Sequence, residues 1–453
     1  MRRVVRLAAA IMIAAGLLAC SVFFFLRGSL DPESQLVAAE QAFALGDHAA
    51  AERFARDVLN QLPDSMQARL LAGRCAALQG NLETAWRDLA GLPDEPCPDV
   101  IAGLFEAAEL SRQAGRASVC EQLLRRVLHV DPQFTQAHST LAYLLGVEGR
   151  CFEATPHLIE AVRRHQFSVH HLVLLGASDL VIKDDALVDL SQQTVPDDPL
   201  PLIGIARSAF RNDDRGQARR LLEKVVSLVP ECFEAQGQLG RVLQAESDFS
   251  ENDAQVLADW NLNLPPQAEE HPEVWTARGL RAQALGDHSG ATRGLWEALK
   301  RDPNHRLACF QLGQALVAQG DAATAEPFLK RAEELQQFAL LVDQVYRSPD
   351  DPTLLRQAAE RCWILGRDIE ALGWVQMAAS QDGRQAWDVQ LEQQIRKRQP
   401  LIEAQAAAVD PSRQLDFTQI PLPLFKPSDR TSETKESPGN PHVVTFRDDA
   451  ATA

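Results

Sequence analysis

The sequence predicts an all-α fold, a solenoid built from stacked helix–turn–helix units. The main observation is an internal repeat within Glu273–Glu334, where two consecutive segments align at a spacing of 34 residues. Each segment is an apolar-periodic stretch, a Gly-Asp turn and a second apolar-periodic stretch. One such unit cannot bury its apolar face alone, so neighbouring units must stack. Composition agrees, because aromatic residues make up only 6% of the 453 residues and helix-forming residues are abundant.

The first element in chain order is a predicted membrane segment, residues 1–30. Three arginines among the first six residues precede Leu7–Leu26, a stretch of twenty residues without a charge. As a helix, this stretch is long enough to span about 30 Å of hydrocarbon. The positive-inside rule places the N-terminus in the cytoplasm and the remaining chain outside, in the periplasm of a bacterium. We therefore expect a single-pass, uncleaved anchor in the inner membrane.

Two alternatives for this segment stay open. Leu17–Cys20 resembles a bacterial lipobox, in which the signal is cut before the cysteine and Cys20 is lipidated. The apolar run continues beyond Cys20, whereas a lipoprotein usually has a polar start to its mature chain. The other alternative is an ordinary cleaved signal peptide. All three interpretations place the repeats outside the cytoplasmic membrane.

Turn positions carry the repeat through most of the chain. The predicted turn markers are Gly46, Gly80, Gly115, Gly149, Lys183, Asp213, Ser247, Gly286, Gly320 and Gly366. Glycine suits such turns because a left-handed backbone costs it little. The first four markers are 34 or 35 residues apart. We predict a first part of the array over residues 31–260 and a second part over 261–384, with bends where Val195–Pro201 shortens one unit and Asn261–Pro272 lengthens another.

The end of the chain is predicted to cap the array and then leave it. Gln337–Tyr346 indicates one extra helix before a last unit that opens at Asp351 and Pro352. Residues 385–409 are more polar, as is typical of a capping helix. From residue 410 to residue 453 the chain is rich in Pro, Ser and Thr, and we expect it to be extended or disordered.

Six positions of the best repeat carry a family resemblance. They are Trp275, Gly279, Ala291, Leu295, Ala298 and Pro303. Their spacing resembles the tetratricopeptide-repeat (TPR) pattern, although Arg278 stands where the family has Leu and Ala282 where it has Tyr. The resemblance implies a right-handed superhelix whose concave groove, lined by the first helix of each repeat, binds protein or peptide partners.

The resemblance also implies which residues line that groove. In TPR proteins the positions five, six and ten residues before the turn glycine tend to face it. Carried onto this chain, and with neighbouring apolar positions added, the groove residues are Arg74, Phe105, Glu109, Tyr143, Ile203, Arg207, Arg241, Phe310 and Gln314. The arginines suit an acidic or extended peptide, and the alternative for each is a solvated or internally paired side chain.

Motifs for catalysis or metal binding do not occur in the sequence. It contains no Cys-x-x-Cys, no phosphate-binding Gly-x-x-x-x-Gly-Lys-Ser/Thr loop, no Gly-x-Ser-x-Gly and no His-Glu-x-x-His. We therefore expect no enzymatic activity, no cofactor, no metal and no small-molecule substrate. Four cysteines fall on packing positions of repeat helices: Cys75, Cys120, Cys309 and Cys362. Disulfides are left open for Cys97, Cys151 and Cys232, at helix starts or in loops.

Charge argues against nucleic-acid partners. After residue 27 the chain carries 62 acidic and 41 basic residues, and so acidic an array repels nucleic acid. The sequence thus predicts a membrane-anchored extracytoplasmic scaffold for protein partners. One alternative is an accessory subunit of an envelope-assembly, cytochrome-maturation or transport complex. Another is a companion of a propeller protein, because His442–Asp448 resembles the strand that opens FG-GAP-like propellers.

Overall fold

A computed structural model describes residues 31–176, 198–247, 251–398 and 410–423. These residues form twenty α-helices and two short 3-10 helices, without a β-strand among them, so the all-α prediction is confirmed. The predicted anchor with Cys20, the turn marker Lys183 and the propeller-like segment 442–448 lie outside the described residues. Of the helices in the described ranges, none combines the length and apolar character that a membrane crossing needs.

The chain divides into two compact units, Met1–Phe134 and Thr135–Ala453. The described part of unit 1 contains three helix hairpins. Its helices are α1 (Pro32–Ala44), α2 (His48–Gln61), α3 (Met66–Leu78), α4 (Leu82–Ala90), α5 (Pro98–Gln113) and α6 (Ala117–Val130). In each hairpin the two helices pack against one another, and each second helix packs on the first helix of the next hairpin. This is the stacking that the 34-residue period requires.

Unit 2 continues the same alternation of first and second helices. Up to the predicted bend it contains α7 (Thr135–Val147), α8 (Cys151–Arg163), α9 (Val169–Gly176), α10 (Pro201–Arg211), α11 (Arg215–Leu228), α12 (Phe233–Glu246) and α13 (Glu251–Leu262). The remaining helices are α14 (Pro272–Ala284), α15 (His288–Arg301), α16 (Arg306–Ala318), α17 (Ala322–Arg347), α18 (Pro352–Ile364), α19 (Asp368–Asp382) and α20 (Ala386–Arg398). The two 3-10 helices are Pro266–Glu270, inside the predicted long connection, and Pro411–Arg413.

The predicted turns are left-handed at nearly every marker that the structure describes. All seven glycine markers have φ between 71° and 83°. Asp213 takes the same conformation with φ of 62°. Ser247 differs, because it follows α12 at the predicted turn position but has an extended backbone, with φ of −62°. His165, which was not predicted, has φ of 57°.

Glycines allow the two helices of a hairpin to cross closely, as the sequence predicted. A Cβ atom on Gly279 of α14 would lie 2.6 Å from Cγ of Leu295 on α15. Gly313, at the equivalent position of α16, would place its Cβ 2.6 Å from Cγ of Leu329. Ala291 is fully buried at the same crossing. These contacts explain why the positions carry the smallest residue in both repeats.

The separate helix predicted at Gln337–Tyr346 is wrong. These residues instead continue α17, which runs unbroken for 26 residues. The segment after Glu334 holds no Gly or Pro before Ser348, so nothing local ends the helix. Phe338, Val342 and Val345 are fully buried and continue the apolar stripe of α17 beyond its repeat.

Unit 2 also packs on itself over a long sequence separation. Helices α8 and α9 contact α17 and α19, about 200 residues later in the chain. Arg367 donates a hydrogen bond to the carbonyl oxygen of Leu175, and the ring Nδ1 of His165 lies 2.8 Å from Oε1 of Gln376. A Cβ on Gly176 would lie 2.5 Å from Val342. Unit 2 is therefore not an open stack in which each repeat touches only its neighbours.

The tail was predicted to be extended or disordered, and its first part is ordered by contacts with the array. Residues 410–423 lie against α15, and Pro411 and Ser412 are buried there. The indole Nε1 of Trp296 donates to the carbonyl oxygen of Ser412 over 2.8 Å. The amino-acid composition of the tail does not indicate this contact, because the contact depends on side chains that lie more than 100 residues earlier in the chain. The predicted capping segment 385–409 is described up to residue 398, where α20 packs on α19.

Candidate partner-binding site

The first helices of three consecutive repeats in unit 1 enclose a cavity of about 240 Å³. Phe43 contributes from α1, Leu70 and Leu71 from α3, and Val100 from α5. The other lining residues are Met66, Cys97 and four polar ones, Glu40, Gln67, Arg74 and Asp99. Each first helix lines the cavity with residues from one of its faces, because hairpin stacking directs the same face of every first helix to the same side.

Arg74 lies at this cavity and is held by the next repeat. Its guanidinium donates from Nε and Nη2 to the carboxylate of Glu106 on α5, over 2.9 to 3.1 Å. About 28% of the Arg74 side chain stays exposed. Two parallel hydrogen bonds fix the plane of a guanidinium. Arg74 is therefore an oriented, partly accessible cation at the cavity, and the internal ion pair is its observed arrangement.

The other two predicted groove residues of unit 1 lie on the same helix, α5. The rings of Phe105 and Phe134 pack with their centroids 5.3 Å apart. Glu109 accepts hydrogen bonds from Arg112, one turn further along the helix, at 2.9 and 3.1 Å. Both side chains are half-buried, and neither is among the residues that line the cavity.

In unit 2, Arg207 and Arg241 belong to a buried ionic cluster rather than to an open groove. The Arg207 side chain is 9% exposed, donates to the carbonyl oxygen of Gly149 over 2.7 Å, and lies 3.6 and 3.7 Å from Glu234 and Glu273. Arg241 donates to both carboxylate oxygens of Glu273 at 3.0 and 3.1 Å. The prediction that Arg207 faces a partner is therefore wrong, and for Arg241 the internal pair is the observed arrangement.

Two histidines complete this cluster. Nε2 of His271 lies 3.1 Å from Glu234, and Nε2 of His305 lies 3.5 Å from Glu273. Burial favours the neutral form of Glu273, but Arg241, His305 and Arg207 together outweigh it and hold the pKa of this carboxyl well below 4.5. Burial likewise lowers the pKa of His305, and the Glu273 carboxylate overcomes this and raises it above 6.5. The cluster thus favours the charged forms of Glu273 and His305 inside the fold.

The remaining predicted groove residues are in different environments. Ile203 is fully buried in the apolar core of α10–α14, so its assignment to a groove surface is wrong. Tyr143 on α7 and Phe310 on α16 are half-buried, and Gln314 on α16 is exposed. None of these four residues is among those that line the cavity of unit 1.

Cysteines and histidines form no visible reactive centre in the described ranges. Cys75, Cys120, Cys309 and Cys362 are fully buried, as predicted for packing positions. Burial raises the pKa of the Cys232 and Cys309 thiols to about 12, which makes both poor nucleophiles. No group of three His, Cys, Asp or Glu side chains within the described residues is placed to hold a metal ion.

Several important residues escaped the sequence interpretation. His271 and His305 are one 34-residue repeat apart, and both accept a backbone hydrogen bond at the start of a first helix. The 34-residue spacing of these two histidines could have indicated that they have equivalent structural roles. No sequence pattern indicated that Arg293 and Trp296 contact residues 410–423, because a basic and an aromatic residue on a helix do not show which segment they bind.

Helix hairpins with left-handed turns, stacked so that their first helices line a cavity, define an α-helical repeat protein. A sequence model of the family described as "Tetratricopeptide repeat" matches residues 276–339, the stretch in which the 34-residue period is strongest. Over these residues the chain therefore carries tetratricopeptide repeats, as the sequence predicted. This fold typically serves as a scaffold for protein–protein interaction.

Several solved structures are similar to the chain at low sequence identity. The Cut9–Hcn1 heterotetramer of the APC/C has 14% identity and a TM-score of 0.31, with 86% of this chain and 81% of that chain covered. Yeast Tom70 has 13% identity and a TM-score of 0.27, covering 83% and 89%. A tetratricopeptide repeat protein of Parabacteroides merdae has 12% identity and a TM-score of 0.24, covering 63% and 98%. No curated protein sequence matches the chain significantly.

Proposed function

We propose that this chain is a membrane-anchored, extracytoplasmic TPR scaffold that binds a segment of a partner protein in the cavity of unit 1. The observation that carries the proposal is the cavity itself, which three consecutive first helices line. Its volume of about 240 Å³ is below the range of about 300–1,000 Å³ that is usual for small-molecule and cofactor sites. A space of this size suits one or two side chains of a protein segment.

The chemistry of the cavity supports a segment with an apolar anchor and a polar flank. Phe43, Leu70 and Val100 supply apolar surface, and Leu70 is only 8% exposed, so it forms part of the floor. Arg74 is oriented by Glu106 before any partner arrives. A preformed site lowers the ordering cost of binding to the partner's side alone. An apolar side chain that enters the cavity and an acidic or backbone oxygen near Arg74 fit this arrangement.

Site-specific photocrosslinking tests this binding site. A benzoylphenylalanine residue is placed either at Gln67, which lines the cavity, or at Asn60, which is exposed on α2 of the neighbouring hairpin. We expect crosslinked partners from position 67 but not from position 60, and a loss of those adducts when Arg74→Ala is added. Equal adducts from both positions, or adducts from position 60 alone, contradict the proposal.

The proposed location rests on the three arginines and the twenty uncharged residues at the start of the chain. Fractionation of cells that express the intact chain, followed by protease treatment of spheroplasts, is expected to show a membrane-bound protein degraded from outside. Cys20→Ser distinguishes the two kinds of anchor. The variant stays membrane-bound if the apolar helix is the anchor, and it accumulates as an unprocessed precursor if Cys20 is lipidated.

A further inference from the structure

Residues 410–423 bind to α15 mainly through their own backbone. One guanidinium nitrogen, Nη1 of Arg293, donates to the carbonyl oxygens of Phe417, Thr418 and Ile420 at 3.3, 2.7 and 2.9 Å. The indole of Trp296 donates to a fourth carbonyl oxygen, that of Ser412. Backbone carbonyls are common to every peptide. Most of this recognition therefore does not depend on the sequence of the bound segment, provided that the segment is extended.

Side chains supply the selective part of the contact. The ring of Phe417 packs edge-on against Trp296, with centroids 5.9 Å apart. Pro423 approaches Gly294, where an added Cβ would lie 3.5 Å from the proline ring. Pro411 is buried at the other end of the segment. An aromatic residue with a proline on each side is therefore the pattern that this face accepts.

The face is organised by contacts within α15 itself. Glu297 accepts hydrogen bonds from Nε and Nη2 of Arg293 at 3.2 and 3.0 Å, which leaves Nη1 directed at the segment. Lys300 lies 4.5 Å from the centroid of the Trp296 ring and also pairs with Glu297. The arginine and the indole are thus oriented by neighbours on the same helix, and a preorganised surface binds an extended chain at a lower entropic cost.

We propose that Arg293, Gly294 and Trp296 form a second peptide-binding face, occupied here by the chain's own residues 410–423 as an internal ligand. The external occupant is an extended segment of a partner protein that carries an aromatic residue between prolines, and it binds by displacing the internal ligand. This inference rests on the proposed scaffold function, because it assigns a second class of partner segment to the same scaffold. It makes access to α15 depend on competition between the internal and the external segment.

The test uses the full chain and a fluorescein-labelled synthetic peptide of residues 410–423 as the probe. In Phe417→Ala the internal segment loses its ring contact with Trp296 while α15 is unchanged. We expect this variant to bind the probe roughly tenfold more tightly than the wild-type chain does, as measured by fluorescence polarisation. Adding Arg293→Ala, or Trp296→Phe, is expected to abolish the gain. Arg53→Ala, an exposed arginine of α2, is the matched control and is expected to leave it intact.

Three outcomes overturn the proposal. Absence of probe binding to Phe417→Ala, with helical circular dichroism unchanged, shows that residues 410–423 only cover α15 structurally. Equal binding of a scrambled peptide shows that the face has no selectivity. A concentration-dependent dimer that Arg293→Ala abolishes, without probe binding, shows that the occupant is a second copy. Crosslinking of partners from position 67 does not involve Arg293. If these crosslinks persist in Arg293→Ala while probe binding fails, the second peptide-binding face is wrong but the proposed scaffold function stands.

Discussion

At the scale of single residues, the buried charges of unit 2 show how position decides the role of an arginine. Arg74 and Arg241 both pair with a glutamate 32 residues later, Glu106 and Glu273. The first pair is partly exposed beside a cavity, whereas Glu273 is buried. Removing one partner of a buried ionic cluster leaves uncompensated charge in the interior, so such a cluster is costly to disrupt.

The first prediction concerns the pH dependence that Glu273 and His305 give to folding. The Glu273 pKa lies below its ordinary 4.5 in the folded chain, so its contribution to stability is present above pH 4.5 and is lost as the pH falls further. The His305 pKa lies above its ordinary 6.5, so its contribution is present below pH 6.5 and is lost as the pH rises through the folded pKa. We expect this pair to stabilise unit 2 most between those two values.

Urea unfolding followed by circular dichroism across this pH range measures the effect. Glu273→Gln is expected to lower the free energy of unfolding between pH 4.5 and pH 6.5 and to flatten its decline on both sides of that interval. Glu326→Gln makes the same change in charge at an exposed residue of α17. The idea is wrong if both variants keep the wild-type pH profile.

At the scale of helices, the close crossings of α14 with α15 and of α16 with α17 depend on a glycine in the first helix of each pair. Gly279 meets Leu295 and Gly313 meets Leu329 in the same way, although a glycine inside a helix costs about 0.5–1 kcal/mol relative to alanine. The packing of two helices at short distance therefore takes precedence over helix propensity at these positions.

The second prediction compares two glycine-to-alanine changes of opposite sign. Gly279→Ala places a Cβ 2.6 Å from Leu295 Cγ and 3.1 Å from the Leu295 backbone nitrogen, and is expected to destabilise the chain by about 1–3 kcal/mol. Gly216→Ala in α11 meets only the guanidinium end of Arg220, at 3.5 Å. It is expected to be neutral or to stabilise the chain by up to about 1 kcal/mol. The denaturant midpoints of the two variants measure these changes in stability. A Gly279→Ala variant that is more stable than the wild-type chain would contradict the close crossing of α14 and α15.

At the scale of the whole molecule, unit 2 combines local stacking with one long-range contact. Phe338 is fully buried in α17 and lies beside Gly176 of α9. The guanidinium of Arg367 lies 5.0 Å from the centroid of its ring. Phe338 therefore connects elements that lie far apart in the sequence, and the stability of α9 depends on helices near the end of the chain.

The third prediction is that Phe338→Ala loosens both sides of this contact together. The change removes a buried ring and is expected to cost about 3–5 kcal/mol. Hydrogen exchange is expected to accelerate in α8 and α9 as well as in α17 and α19, because they share the contact. Leu340→Ala on the same helix changes a side chain that is 47% exposed and serves as the control. Unchanged exchange in α9 in the Phe338→Ala variant would show that the contact does not couple these helices.

The sequence by itself determined the helix hairpins, the left-handed turns and the small residues at the crossings. Each of these follows from the order of nearby residues, which the 34-residue period repeats. Tertiary structure alone decided that Arg207 is buried with Glu234 and Glu273, that α9 packs on α17, and that residues 410–423 bind α15. These contacts join residues from tens to about 200 positions apart, and no periodic pattern records them. A repeat pattern predicts how adjacent helices pack, whereas contacts between distant elements depend on how all the intervening units stack.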